Sequence, residues 1–209
     1  NLVLITGASQ GIGRAIATRA TEDGYRVINL DQKAPKTLLK DEVFHPIDLT
    51  DVKAIDNLIP QLLARQPIVR LVNNAGIIRP AALEQTTVDD FDAVMAINLR
   101  APMLLTQHLF PGMRKAKFGR IVSIASRAAL GKEERTVYAG SKAGLIGMTK
   151  TWALEMAQYG ITVNAIGPGP IATELFTSGN PPDAPKTIKI LQSIPVQRMG
   201  QPEDVAHAV

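Results

Sequence analysis

The chain has 209 residues, of which 45% are hydrophobic and 20% are charged, and its formal net charge at pH 7 is +4. This length predicts one domain with a sizeable core, and the composition excludes a disordered or collagen-like chain. Cysteine is absent, which excludes disulfide scaffolds, thiol nucleophiles and thiolate metal sites. The basic residues are scattered and only 4% of residues are aromatic, so no nucleic-acid partner is predicted.

The sequence has neither a membrane-spanning pattern nor a metal-binding pattern. No run of apolar residues reaches the length of about 18 that a membrane helix needs, and the chain does not open with a basic segment followed by an apolar one. These features predict a cytoplasmic protein with no membrane partner. The histidines His45, His108 and His207 are isolated from one another, so no metal site is predicted.

Short apolar runs alternate with segments of helical spacing along the chain. Strands are predicted at residues 2–5, 27–30, 43–47, 68–72, 120–124 and 161–166. Apolar residues recur with helical spacing after the glycine-rich turn, after Asp51, after Thr87 and after Thr136. Alternating strands and helices with right-handed crossovers predict an α/β fold with an open, doubly wound parallel sheet.

Two segments depart from this alternation. Residues 34–42, between the second and third strands, are too short and too interrupted by proline for a full crossover helix. Residues 178–185 are rich in turn-forming residues and precede a short amphipathic piece at 186–194. We therefore predict a substrate loop or flap over residues 177–194.

The first predicted strand runs directly into a turn that contains Gly7, Gly11 and Gly13. In such a turn the missing side chains let the backbone approach a pyrophosphate, and the N-terminus of the following helix favours an anion. The phosphate loop of nucleotide hydrolases would require a lysine and a hydroxyl after the last glycine, where this chain has Arg14 and Ala15. The turn therefore predicts dinucleotide binding rather than ATP or GTP hydrolysis.

Asp31 ends the second predicted strand, where a carboxylate accepts hydrogen bonds from the adenosine ribose. Its charge would repel a 2′-phosphate, so NAD is predicted in preference to NADP. Arg14 and Lys33 are near in sequence and could offset this repulsion, although Gln10 before Gly11 is neutral. An ordinary polar strand end is the alternative interpretation of Asp31.

Tyr138 and Lys142 are four residues apart in a predicted helix, so their side chains leave the same face. Ser126 follows a predicted strand at the sheet edge where ligands of doubly wound folds bind. A phenol can take the hydroxyl proton of a secondary alcohol as its carbon gives up hydride. A nearby cation favours the ionised phenol, so we expect Lys142, helped by the charge of an oxidised nicotinamide, to lower the pKa of Tyr138 from its ordinary value of about 10.

Together these motifs resemble the short-chain dehydrogenase/reductase family, in its small single-domain branch. They occur in the family's order over nearly the whole chain: Thr6-Gly7 with Gly11 and Gly13, Asp48-Leu49, Asn73-Asn74-Ala75-Gly76, Asn98, Ser126, Tyr138 with Lys142, and Pro168-Gly169 followed by Ile171 and Thr173. The resemblance implies a Rossmann-like sheet of strand order 3-2-1-4-5-6. It also implies that residues 1–209 form one NAD(P)-binding domain, which continues into a seventh strand beyond Val209.

The resemblance implies a set of catalytic residues: Asn98, Ser126, Tyr138 and Lys142. Ser126 would hydrogen-bond the substrate oxygen, Lys142 would also hold the nicotinamide ribose, and Asn98 would support a water-linked proton path.

The resemblance also implies the cofactor-binding residues. Asp48 would reach the adenine, and the backbone of Ile171 and the side chain of Thr173 would hold the nicotinamide carboxamide. The full set is Gly7, Ser9, Gln10, Gly11, Ile12, Gly13, Asp31, Asp48, Leu49, Asn74, Ala75, Gly76, Tyr138, Lys142, Pro168, Gly169, Ile171 and Thr173.

These observations predict an NAD(H)-dependent oxidoreductase that interconverts a small-molecule secondary alcohol and a ketone. The segment 198–204 and the core motifs resemble 3-oxoacyl-[acyl-carrier-protein] reductases, whereas the short connection at 34–42 resembles cyclic dihydrodiol dehydrogenases. A homotetramer or homodimer, packed through 87–110 and 136–159, is implied by the family. The alternatives are a non-catalytic dinucleotide-binding regulator and a Ser/Lys hydrolase that uses Ser126.

Overall fold

A parallel sheet lies at the centre of the computed structural model, which describes residues 1–181 and 183–209 and their side chains other than those of Leu175, Gly179 and Lys186. Its strands within these residues are β1 (Leu2–Thr6), β2 (Arg26–Asp31), β3 (Glu42–Pro46), β4 (Arg70–Asn73), β5 (Gly119–Ile124) and β6 (Ile161–Ile166). The strand order is β3-β2-β1-β4-β5-β6, and every pairing is parallel. The predicted doubly wound sheet and its order are therefore confirmed.

Helices connect the strands and cover the sheet. In the described residues they are α1 (Gly11–Glu22), α2 (Val52–Arg65), α3 (Val88–Met95), α4 (Ala101–Ala116), α5 (Thr136–Met156), α6 (Glu174–Gly179), α7 (Pro185–Gln192) and α8 (Pro202–Ala206). The segment that follows Thr87 is not one continuous helix, because a π-helical turn at Ala96–Arg100 separates α3 from α4. None of the described helices is both long and apolar enough to span a lipid bilayer.

Successive residues of β1 enter two different apolar cores. Leu2 and Leu4 pack with residues of α2 and α4, whereas Val3 and Ile5 pack with residues of α1 and α8. All four side chains are buried, and full burial of such a side chain stabilises a fold by about 1.5–3 kcal/mol. This two-sided burial explains why β1 reads as a nearly continuous apolar run in the sequence.

The connection between β2 and β3 is short. Residues 32–41 form bends and turns without a helix, as the sequence predicted. The strands pair in register, with Val27 opposite Glu42 and Asp31 opposite Pro46. As a result, the first residue of β3 lies close to the start of α1.

The predicted flap at 177–194 contains Pro182, which lies outside the described residues. Residues 185–192 form α7, in agreement with the amphipathic spacing found there. The turn-rich part begins inside α6, which ends at Gly179. The role of this segment as a flap stays a prediction.

Candidate functional site

The carboxyl ends of the central strands meet at one edge of the sheet, and most of the sequence-predicted residues lie just beyond them. Gly7 follows β1, Asn74 follows β4, Ser126 follows β5 and Pro168 follows β6. Asp31 ends β2 at the same edge. This is the position at which open α/β sheets bind ligands, where the strand order reverses.

The glycine turn after β1 is packed tightly on itself. A β carbon at Gly13 would lie 2.0 Å from the Gly7 carbonyl oxygen and 2.4 Å from the Asn74 Nδ2, so no side chain fits there. Gly7 and Gly11 have φ angles of +67° and +56°, which favour glycine. Asn74 Nδ2 donates to the carbonyl oxygens of Thr6, at 2.9 Å, and of Gly7, at 3.0 Å, and so fixes the turn against the end of β4.

Helix α1 begins at the end of this turn. Its N-cap residue is Gln10, which is exposed and makes no capping hydrogen bond through its side chain among the described residues. The first N–H groups of a helix without such a cap are available to an anion. Ile12, in the first turn, packs against the core that contains Val3 and Ile5.

Thr6 has a structural role that the sequence analysis did not assign. Its buried Oγ1 accepts hydrogen bonds from the backbone N–H groups of Asn74 and Ala75, both at 3.0 Å, and donates to the Val72 carbonyl oxygen at 3.4 Å. These contacts join the carboxyl ends of β1 and β4. A hydroxyl residue directly before the first glycine of the turn was the available indication in the sequence.

The Asp31 carboxylate lies at the mouth of the glycine turn. One of its oxygens accepts the backbone N–H of Ser9 at 3.1 Å, and the other accepts that of Lys33 at 3.2 Å. Arg14, which the sequence analysis considered as a possible phosphate ligand, instead forms an ion pair with Glu42 at 2.8 Å. The structure therefore brings Asp31 to the turn and places the Arg14 guanidinium on a carboxylate.

Asp48 lies in the turn before α2. Its Oδ1 accepts the backbone N–H and the hydroxyl of Thr50, both at 2.8 Å, and these hydrogen bonds hold the pKa of Asp48 below its usual range. The N-cap of α2 is Asp51 rather than Asp48. Leu49 has its side chain in the core, so only its backbone is available to a ligand.

Asn98 is fully buried in the π-helical turn between α3 and α4. Its Oδ1 accepts the backbone N–H of Ile77 at 2.9 Å, and its Nδ2 donates to the Ile77 carbonyl oxygen at 3.0 Å and to Ser141 Oγ at 3.1 Å. A β carbon at Gly76 would lie 3.2 Å from Asn98 Oδ1 and 3.4 Å from Lys142 Nζ. Asn98 and Lys142 therefore approach the same glycine.

Ser141 was also missed by the sequence analysis. Its hydroxyl donates to the Tyr138 carbonyl oxygen at 2.8 Å and accepts from Asn98. It therefore connects the π-helical turn to the first turns of α5. A serine next to a lysine in a helix carries no distinctive indication of this role in the sequence.

Ser126 and Tyr138 come together at the end of β5. The Ser126 hydroxyl accepts the backbone N–H of Ala128 at 3.1 Å and also hydrogen-bonds the Tyr138 side chain. Burial raises the pKa of the Tyr138 phenol above its usual value, while the Ser126 hydrogen bond and the charge of Arg135 lower it. The net direction is upward, so Lys142 by itself does not lower the pKa of Tyr138, and the part of the expectation that rested on Lys142 alone is wrong.

Lys142 lies near this phenol. Its buried ammonium lies 5.8 Å from the centroid of the Tyr138 ring and donates a hydrogen bond to the Ile124 carbonyl oxygen at 2.7 Å. Burial lowers the pKa of Lys142 to about 8. The cation is thus held by the end of β5, and desolvation dominates the pKa of the phenol.

The segment after β6 closes the other side of the site. The Pro168 carbonyl oxygen accepts the backbone N–H of Arg127 at 2.9 Å, which ties this segment to the end of β5. Ile171 packs partly against the core and pairs with Gly200. Thr173 caps α6, and its Cγ2 would lie 3.5 Å from a β carbon at Gly11. This segment therefore reaches the glycine turn. Gly169 is exposed beside it.

Comparisons with known proteins show the family to which this chain belongs. The family model described as short chain dehydrogenase matches residues 1–183. The 3-oxoacyl-[acyl-carrier-protein] reductase FabG of Thermotoga maritima is 38% identical to this chain, over 99% of this chain and 87% of that protein.

Two solved structures share the fold. One is a putative NAD(P) dependent gluconate 5-dehydrogenase from Beutenbergia cavernae with bound NADP, with a TM-score of 0.92, 30% identity, and coverage of 100% of this chain and 87% of that one. The other is a 3-ketoacyl-(acyl-carrier-protein) reductase from Brucella melitensis complexed with NADH, with a TM-score of 0.89, 27% identity, and coverage of 100% and 88%. The chain therefore belongs to the short-chain dehydrogenase/reductase family of oxidoreductases, as its motifs indicated.

Proposed function

We propose that this protein is an NAD(H)-dependent oxidoreductase that interconverts a secondary alcohol and a ketone, with Tyr138 as the acid and base. The observation that carries the proposal is the convergence of Ser126, Tyr138 and Lys142 at the sheet edge beside the glycine turn. A regulator that only bound a dinucleotide would need the turn but not this group of side chains. A Ser/Lys hydrolase is disfavoured because Lys142 donates to the Ile124 carbonyl and Ser126 bonds Tyr138.

The residues present fit a nicotinamide dinucleotide. The packing of Gly13 on Gly7 and Asn74 brings the start of α1 close to the end of β1. The first N–H groups of α1 have no side-chain cap from Gln10, so they are available to a pyrophosphate. Gly7, Gly11 and Gly13 would surround the pyrophosphate, and Lys142 would hold the nicotinamide ribose. When bound, the cofactor supplies the nicotinamide ring that accepts or gives the hydride.

Asp31 supports NAD rather than NADP. Each oxygen of its carboxylate accepts one backbone N–H group, and these hydrogen bonds fix the carboxylate at the mouth of the glycine turn. An ionised carboxylate accepts hydrogen bonds from ribose hydroxyls but repels a 2′-phosphate. Because the two structural relatives hold NADP in one case and NADH in the other, the choice depends on this chain's own residues.

The protein's own side chains would transfer one proton to the substrate oxygen in reduction and take one proton from it in oxidation. Ser126, hydrogen-bonded to Tyr138, would orient the substrate oxygen towards the phenol. In ketone reduction Tyr138 gives its proton to that oxygen, and in alcohol oxidation it takes the proton back. Burial raises the pKa of Tyr138, so the resting phenol is the proton donor that reduction requires.

A second candidate function is the reduction of a 3-oxoacyl thioester. The observation that favours it is the 38% identity to the Thermotoga maritima protein named as a 3-oxoacyl-[acyl-carrier-protein] reductase. Both candidates use the same carbonyl chemistry and the same side chains. They differ only in the group attached to the carbonyl, so substrate turnover separates them.

We also propose a homotetramer or homodimer. Phe91 of α3 and Leu154 of α5 are exposed apolar side chains on two segments expected to form the contact between subunits. Light scattering coupled to size-exclusion chromatography measures the assembly directly, and a monomer would contradict the proposal. The cytoplasmic location stays a prediction from the sequence.

The test of the proposed function is a panel of substrates followed by the absorbance of NADH. Diols, simple secondary alcohols and 3-hydroxyacyl thioesters are offered with NAD⁺, and the matching ketones and 3-oxoacyl thioesters with NADH. We expect turnover of at least one class, reduced about 10²- to 10⁴-fold in Tyr138→Phe because the acid and base is lost.

Tyr159→Phe is the matched control, because Tyr159 packs edge-on against Phe110 outside this group of side chains. It should retain the activity of the unaltered protein. No turnover on any substrate, or Tyr138→Phe with unchanged activity, would overturn the proposed mechanism.

A further inference from the structure

Glu42, the first residue of β3, is a buried carboxylate that the proposed reaction does not use. Its side chain has 0% exposed surface. Oε1 accepts from Arg14 Nη1 and from Asn29 Nδ2, both at 2.9 Å, and Oε2 accepts from Arg14 Nη1 and from the backbone N–H of Leu39, both at 2.8 Å. Both oxygens therefore have hydrogen-bond partners, and the carboxylate is paired with a guanidinium, as a buried charged group requires.

Arg14 is held by this carboxylate. It lies in the first turn of α1, and besides Glu42 its guanidinium hydrogen-bonds the Thr37 carbonyl oxygen and approaches the Ala8 carbonyl oxygen at 3.5 Å. Ala8 directly precedes Ser9, whose backbone N–H donates to Asp31. A cation thus lies beside the part of the turn that is proposed to face the adenosine ribose, but Glu42 pairs its charge within the protein.

A second chain of contacts joins Glu42 to Asp31. Asn29 Nδ2 donates both to Glu42 Oε1 at 2.9 Å and to Ser9 Oγ at 3.1 Å. Asn29 is fully buried in β2, between β1 and β3. Ser9 in turn donates its backbone N–H to Asp31. The buried carboxylate is therefore connected to the residue that is proposed to bind the ribose.

The short connection between β2 and β3 makes this arrangement possible. Both Thr37 and Leu39, which bond Arg14 and Glu42, belong to the helix-free segment 32–41. This segment brings the start of β3 against the start of α1.

We infer that Glu42 is a positioning residue for dinucleotide specificity: it retains Arg14 in a buried ion pair, withholds that cation from the 2′-phosphate of NADP, and supports Asp31 through Asn29 and Ser9. The inference rests on the proposed function. Asp31 selects NAD by repelling the phosphate, and Glu42 does so by removing a cation that would attract it. Loss of the Glu42 charge would free one positive charge near a doubly charged phosphate.

The test measures the dissociation constants of NAD⁺ and NADP⁺ by calorimetric titration for the unaltered protein and for Glu42→Gln. We expect Glu42→Gln to bind NADP⁺ about tenfold more tightly relative to NAD⁺, and this gain to weaken with added salt. General damage to the fold would weaken both dinucleotides together. In the double variant Glu42→Gln/Arg14→Met the gain should disappear, because the released cation is absent.

Asp23→Asn is the matched control. It removes an exposed carboxylate at the C-terminal end of α1, away from the glycine turn, which is paired with Arg19 at 3.0 Å. This control should leave the ratio of NADP⁺ affinity to NAD⁺ affinity unchanged. Glu42→Asp keeps the charge but shortens the reach to Arg14, and it supplies the test if Glu42→Gln does not fold. In that variant, a rise of about twofold or more in NADP⁺ affinity relative to NAD⁺ affinity supports the inference.

Folded variants at Glu42 that bind NAD⁺ with an unchanged ratio would overturn this inference alone. Failure of the unaltered protein to bind either dinucleotide would overturn the proposed function, and this inference with it.

Discussion

At the scale of single residues, burial sets the charge states of the two most important side chains. The Lys142 ammonium is buried, and desolvation lowers its pKa to about 8. The Tyr138 phenol is partly buried, and desolvation raises its pKa. Both shifts favour the neutral form of the group, as burial always does. At pH 7, Lys142 is still mostly charged and Tyr138 is protonated.

The pKa of Lys142 predicts a pH dependence for ketone reduction with NADH. Below about pH 8 the ammonium is charged, and it loses its proton as the pH rises through this value, whereas Tyr138 stays protonated. We expect kcat/KM for NADH at a saturating ketone concentration, which reports the protein before NADH binds, to be constant at low pH and to fall above about pH 8. Arginine keeps its charge at these pH values, so the remaining activity of Lys142→Arg should not decrease above about pH 8. A flat profile of the unaltered protein through this region would contradict the assignment.

Asp31 carries the second prediction at this scale. Asp31→Ala removes the carboxylate that is proposed to accept hydrogen bonds from the ribose, so NAD⁺ should bind about tenfold more weakly. Discrimination against NADP⁺ should relax, because the repulsion is removed. Titration of both dinucleotides checks this, with Asp56→Asn as the control, since Asp56 is an exposed carboxylate paired with His108 at 2.9 Å. Tighter binding of NADP⁺ than of NAD⁺ by the unaltered protein would contradict the role of Asp31.

At the scale of elements, the central strand β1 was predictable because burial on both faces makes it apolar almost throughout, whereas the edge strands β3 and β6 contain exposed and polar residues. The interruption of the helix after Thr87 was not predictable. A single π-helical turn adds one residue to the helix, and the helical spacing of apolar residues in the sequence does not reveal it. The turn places Asn98 where it can bond Ile77 and Ser141, which are distant in the sequence. The ion pair of Glu42 with Arg14 and the hydrogen bond of Lys142 to the Ile124 carbonyl oxygen were likewise not predictable from the sequence, because the folded chain brings these distant residues together.

The glycine turn carries the prediction at this scale. Gly13→Ala puts a β carbon 2.0 Å from the Gly7 carbonyl oxygen and 2.4 Å from Asn74 Nδ2, so the turn must move. We expect dinucleotide affinity to fall about 100-fold or more, because the movement displaces the proposed pyrophosphate site from the start of α1. Titration with NAD⁺ measures the loss.

Gly112→Ala is the matched control for this change. Gly112 lies inside α4, and a β carbon there meets nothing within 4 Å. This control should bind normally and gain roughly 0.5–1 kcal/mol of stability, since alanine favours a helix over glycine. Normal NAD⁺ binding by Gly13→Ala would show that the glycine turn is not part of the dinucleotide site.

At the scale of the whole molecule, the site is assembled from segments that are far apart in the sequence. The turn after β1, the Asn74 segment after β4, Ser126 after β5 and Thr173 after β6 meet at one edge of a sheet with a core on each face. Unfolding of the sheet would separate all of them. A dinucleotide that contacts several of these segments would therefore bind the folded chain and not the unfolded one.

This linkage predicts stabilisation by the cofactor. At a concentration about 100 times its dissociation constant, NAD⁺ should raise the free energy of unfolding by about 2.7 kcal/mol, which for a chain of this size is a rise in Tm of roughly 5–10 °C. NADP⁺ at the same concentration should give a smaller rise. With its affinity about 100-fold weaker, Gly13→Ala should be stabilised by NAD⁺ by only about 0.4 kcal/mol, a rise of roughly 1 °C. Thermal unfolding followed by circular dichroism measures all three. An equal rise with NAD⁺ and NADP⁺ would show that neither Asp31 nor the Arg14–Glu42 pair discriminates between them, whereas no rise with either would place the dinucleotide site elsewhere or remove it.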